Sequence, residues 1–144
     1  MTISDPRPGL VIRYSFLWSS EAERGSIEGS KDRPCAIVVA LRREKDGAYQ
    51  TIVAPVTHSP PIDNATSLEI PANVCRTLGF DDGRHWLRLD ELNRFVWPGY
   101  DLRPRTDVPG RFDYGMLPQD LFEKLKQGIV ELQRQRQARI VSRE

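Results

Sequence analysis

The chain has 144 residues, and 21 basic against 20 acidic side chains leave a net charge of +1. That length fits one domain spanning residues 1–144, able to bury roughly two-thirds of its unfolded surface without a disulfide or metal staple. The charge balance excludes a globally basic nucleic-acid binder but leaves room for a local cationic site, because the field at the site is what steers a polyanion.

From the N-terminus, Leu10, Ile12, Tyr14, Phe16 and Trp18 alternate with Val11, Arg13, Ser15 and Leu17, a period of two that predicts a strand with an aromatic face. Residues 19–32 are rich in Ser, Glu and Gly, hold few apolar positions, and read as a long loop of the kind that often carries function. Cys35 to Leu41 is a continuous apolar run with a β-branched centre, expected to be a strand buried on both faces. The charged segment from Arg42 to Gly47 ends in Asp-Gly, a hairpin signal, and Tyr49 to Thr57 is the returning strand. Centring that hairpin near Lys45 sets Arg33 opposite Thr57, and centring it on Asp46-Gly47 sets Arg33 opposite Pro60, at the same sheet edge in either case. Pro34 holds Arg33 extended, whereas Pro55 inside the returning strand calls for an edge position or a bulge.

Further on, Ser67 to Ile70 is a short strand and Pro71 to Leu78 a short helix with Gly79 just past its end. Trp86 to Leu89 and Glu91 to Val96 read as strands, and 97–115 as a long loop. Pro118 opens a helix expected to run to about residue 140, whose Leu121, Phe122, Leu125, Ile129 and Leu132 form one apolar stripe. Beyond it Arg134, Arg136, Arg139 and Arg143 read as a solvated helix face. The fold class is mainly β with helices (α+β), a small twisted barrel with a C-terminal helix.

The chemistry concentrates at the hairpin edge. Arg33 carries a planar fork of five donors that stays charged and suits phosphate; the mundane alternative is a surface arginine paired with Asp32 or Glu28. Thr57 can donate a hydroxyl from the facing strand. His58, one of 2 histidines, is a candidate for proton transfer near neutral pH, as is the loop carboxylate Glu28. Lys31 and Ser59, two positions from Arg33 and from Thr57, are candidate contacts for a polyanion at the same edge. The 2 cysteines, Cys35 and Cys75, are expected to be buried, reduced thiols, and with the 2 histidines they lack the spacing of a zinc site. There is no Gly-rich phosphate loop and no Ser-His-Asp set at a nucleophile elbow, so a conventional nucleotide enzyme or hydrolase is unsupported; no metal or cofactor is expected. No run approaches the roughly 18 apolar residues of a membrane span, and the polar N-terminus has no signal-peptide core. The expectation is a cytoplasmic protein with no membrane segment.

The order of these pieces resembles the MazF/PemK family of toxin endoribonucleases from bacterial toxin–antitoxin pairs. The resemblance covers roughly Gly9 to Val96: Gly9 before the aromatic strand, Ser26-Ile27-Glu28 in the loop, Arg33-Pro34 leading into Ala36-Ile37-Val38-Val39, Val53-Ala54-Pro55-Val56-Thr57, and Leu89 to Val96 as a later strand. It implies an SH3-like barrel, usually a homodimer, that cleaves single-stranded RNA such as mRNA without a metal and is held in check by a cognate antitoxin. Arg33 would be the catalytic arginine, Thr57 its phosphate-binding partner, and Glu28 the family's loop glutamate. Leu10 stands where the family has Asp, Glu91 and Asn93 replace Gln and Lys, and the 19–32 and 97–115 loops are longer. The alternative on the same barrel is a non-catalytic member: a protein-binding toxin that poisons gyrase, or an RNA- or peptide-binding module.

Overall fold

The computed structural model describes residues 5–29 and 31–143. Among these, the strands are β1 (Leu10–Ser15), β2 (Asp32–Arg42), β3 (Tyr49–Thr57), β4 (Ser67–Glu69), β5 (Trp86–Arg88), β6 (Glu91–Trp97), β7 (Asp113–Met116) and β8 (Arg139–Ser142). The helices are α1 (Ser19–Glu23), α2 (Ala72–Leu78) and α3 (Gln119–Arg134). The strands form one curled sheet in the order β4-β5-β3-β2-β1-β7, with β6 joined to β3 and β8 joined to β6. The result is a half-barrel closed by the C-terminal helix, a small α+β barrel.

The β2–β3 hairpin carries the site, and its register follows from the turn. Cys35 faces Pro55, Ala36 faces Ala54 and Ile37 faces Val53, before a bulge at Val38 shifts the pairing by one. Carried two residues past Cys35 and Pro55, that register brings Arg33 level with Thr57. Pro55 sits at a change of neighbour. On the side of β3 away from β2, Tyr49 to Val53 pair with β6 whereas Val56 and Thr57 pair with β5. A residue without an N–H is tolerated there because no ladder bond on that side requires it.

Both faces of β1 and β2 are covered, which explains their unbroken apolar runs. Leu10, Ile12, Tyr14, Phe16, Cys35 and Ile37 pack with Phe95 and Leu102 on one face. Val11, Ala36 and Val38 turn the other way, onto α2 and α3. All five residues of the α3 stripe are buried, each contributing about 1.5–3 kcal/mol relative to an exposed position. Helix α3 comes close to the strands at Gly128, where a Cβ would stand 2.7 Å from a Leu89 methyl. Gly therefore occupies a helix interior it would otherwise weaken.

Three expectations are corrected. The 19–32 segment is not all loop: α1 forms within it, pinned by Ser19, whose N–H and hydroxyl both donate to Glu91 at 2.7 and 2.6 Å. The 97–115 loop ends early, at β7, which adds to the free edge of β1. Helix α3 stops at Arg134 and not near residue 140; the chain then turns and runs parallel to β6 as β8. No helix among the described residues is long and apolar enough to cross a membrane.

Candidate functional site

At the edge where β2 begins and β3 ends lies a cavity of about 620 Å³. Arg33, Lys31 and Arg13 bring positive charge to it, Asp32, Asp81 and Asp107 bring carboxylates, and Thr57, His58 and Ser59 line the β3 end. Trp18, Phe80 and Tyr114 supply aromatic walls.

Arg33 is half-buried and under-satisfied. Its Nη1 donates only a long bond of 3.4 Å to the Val56 carbonyl, and its Nε is buried with no partner. Among the described residues no carboxylate lies within ion-pair distance of it. Asp32 is engaged elsewhere, at 3.6 Å from Arg13 and 3.7 Å from Arg103. The guanidinium instead stacks 4.9 Å from the centroid of the Trp18 ring, which Arg88 also approaches, at 5.4 Å. Burial pulls the Arg33 pKa down, an effect opposed in part by Glu21. A guanidinium keeps its charge regardless, so the site holds a cation that has lost water and gained no counter-ion. An anion entering the cavity would restore what burial removed.

Thr57 completes the edge. Its buried hydroxyl oxygen accepts the Ser59 N–H at 3.1 Å, which leaves the hydroxyl proton free to donate into the cavity. Lys31 and Ser59 line the same cavity and are exposed. Glu28 is not brought to the site: it is an exposed residue of the loop after α1, outside the cavity wall, and its charge is felt by Asp101. The carboxylate whose field does reach Arg33 is Glu21, on α1.

The cavity also holds a cluster that the spacing argument missed. His58 follows β3, while Asp81 and His85 lie in the turn between α2 and β5, yet all three converge. His58 Nε2 and His85 Nε2 each stand 3.3 Å from an Asp81 carboxylate oxygen, and the two rings are 4.4 Å apart at their centroids. His58 Nδ1 faces the Arg84 carbonyl at 3.2 Å. His85 is buried under Phe80, and its Nδ1 has no partner. Burial first, and then the neighbouring His58, lower the His85 pKa. Gly83 makes the turn tight enough, since a Cβ there would come within 3.2 Å of Asp81 and 3.3 Å of His58. A search along the chain could not find this cluster, because its members meet only after β5 pairs with the end of β3.

The tail arginines are not one solvated face. Arg143 is buried, with its side chain 2% exposed, and donates to Ser15 O at 2.6 Å, Asn93 Oδ1 at 3.1 Å, Ile27 O at 3.1 Å and Asp101 Oδ1 at 2.7 Å. Asn93 in turn brackets Leu17, accepting its N–H at 2.9 Å and donating to its carbonyl at 2.7 Å. That network fixes the residue before Trp18, and so one wall of the cavity.

No family model matches the chain, and no curated protein matches it.

Proposed function

We propose that this chain is an endoribonuclease that cleaves single-stranded RNA without needing a metal, of the kind that serves as the toxin of a toxin–antitoxin pair. The observation that carries the reading is the desolvated, unpaired Arg33 guanidinium beside a free Thr57 hydroxyl in a cavity walled by aromatic rings. Arg33 and Thr57 would hold the non-bridging oxygens of a phosphodiester, and the charge that grows there in the transition state is what preorganised donors stabilise. Trp18, Phe80 and Tyr114 line the cavity with aromatic rings already covered in part by Arg33 and Arg88, His85 and Arg105, and the ring surface left open to the cavity would pack against unstacked bases, which favours a single strand over a regular duplex.

In this reaction the ribose 2′-oxygen bonds to phosphorus as the P–O5′ bond breaks. The 2′-hydroxyl proton passes to His58, and the departing 5′-oxygen takes a proton from solvent water, leaving a 2′,3′-cyclic phosphate and a 5′-hydroxyl. Of the two proton-transfer candidates, His58 lines the cavity and takes this role, and Glu28 lies outside it and does not. A cognate antitoxin and a homodimer belong to the same proposal.

The test is incubation of the purified protein with long RNA in excess EDTA, with the new ends mapped. Fragments ending in 2′,3′-cyclic phosphate are expected. Intact RNA would favour the non-catalytic alternative, in which the same cavity only binds.

A further inference from the structure

We infer that His58, Asp81 and His85 form a binding site for a divalent transition metal ion of the zinc class, built into the wall of the cavity. The inference stands on the geometry of these three residues and does not depend on RNA cleavage. Two donors about 2.0–2.1 Å from a tetrahedral zinc ion are about 3.3 Å apart. Here each imidazole Nε2 stands 3.3 Å from its own oxygen of the Asp81 carboxylate, His58 from Oδ2 and His85 from Oδ1, and one donor atom from each of the three residues lies within 4.8 Å of the other two. His58, with its side chain 58% exposed, has the freedom to close the remaining imidazole-to-imidazole edge.

The chemistry of the set agrees. Two imidazoles and one carboxylate match the borderline preference of zinc-class ions, and three protein ligands leave a position open toward the cavity. With its Nδ1 proton donated to the Arg84 carbonyl, His58 presents the Nε2 lone pair to the cluster, the outer-sphere arrangement common for metal-bound histidine. Without an ion, two imidazoles converge through their Nε2 atoms on a single carboxylate. An ion supplies the charge toward which both rings and the carboxylate already turn. It would also occupy the lone pair that His58 uses for proton transfer, so the metal-loaded and metal-free proteins differ at that group.

The experiment is direct titration of the full chain with Zn²⁺, by calorimetry or against a chromophoric chelator, with Co²⁺ as a spectroscopic probe. One ion per chain is expected, with visible Co²⁺ bands of tetrahedral intensity. His58→Ala and Asp81→Asn alter exposed positions and keep the fold, which circular dichroism verifies. Each should weaken Zn²⁺ by more than about tenfold, the lower range of loss found when only an outer-sphere partner of a metal ligand is removed. Glu44→Gln, on the exposed hairpin turn, should leave affinity unchanged. Absence of stoichiometric binding by the unaltered chain, or equal affinity in His58→Ala and Asp81→Asn, would overturn the site. Because no RNA enters the assay, its outcome is separate from that of the cleavage test.

Discussion

Arg33 and Arg143 are both guanidiniums drawn out of water, and their surroundings could hardly differ more. Arg143 meets four acceptors, one of them the Asp101 carboxylate, so its donors are used within the fold. Arg33 meets one distant carbonyl and an aromatic ring, and its Nε has no partner. A saturated buried cation ties strands together. An unsaturated one beside a cavity is a standing demand for an anion. The difference lies in what the surrounding backbone offers. Arg143 reaches across from β8 to the ends of β1 and β6, where carbonyls and Asp101 converge, while Arg33 lies at the start of β2 with its neighbouring carboxylate, Asp32, already taken by Arg13 and Arg103.

Substitutions break this contrast in a definite order. Arg143→Met should have the largest effect on stability, a loss of about 3–5 kcal/mol measured by urea unfolding, because Asp101 is left buried without its partner. Burial already pushes the Asp101 carboxyl above its usual range despite Arg143, so the pair serves to fix position more than to add net stability. Where Arg143→Met still folds, cleavage per folded molecule should fall far less than in Arg33→Ala, because Arg143 reaches the cavity only through Asn93 and Leu17. Thr57→Val keeps shape but removes the hydroxyl proposed to meet the phosphate, so cleavage should drop by about tenfold or more, while stability changes little because the Ser59 N–H belongs to an exposed residue. Tyr114→Ala removes a stacking face, so RNA affinity, measured by competition binding, should fall by about 1–3 kcal/mol while the bond-breaking step holds. Glu28→Gln should do least: cleavage should stay within about twofold, since this exposed side chain lies outside the cavity.

Much of the fold is legible in the sequence where the signals are local. The Asp-Gly turn and two flanking apolar runs predict the β2–β3 hairpin and the edge at which Arg33 and Thr57 lie, while the register that sets Arg33 level with Thr57 and not Pro60 is fixed by the observed pairing. The α3 stripe identified all five of its buried residues. Other parts depend on partners distant in the chain. β8 is only four residues long and follows a Gln/Arg-rich stretch, so it becomes a strand only because β6 offers a free edge. Arg143 looks like any tail arginine until β8 carries it against Asp101. Asp81 and His85 carry no spacing signal relative to His58; the pairing of β5 with β3 brings them together. Long-range pairing is the property that local pattern cannot encode.

The central claim is that the free charge of Arg33 serves an anion and not the fold. The most direct measurement sets Arg33→Ala beside the unaltered chain in excess EDTA, reading RNA cleavage and thermal melting on the same preparations. Cleavage should fall by about 10²–10³, the loss typical of removing one preorganised donor, with the melting temperature unchanged or raised because a desolvated cation has gone. Unchanged cleavage, or a fall in melting temperature that accounts for the lost activity, would contradict the account.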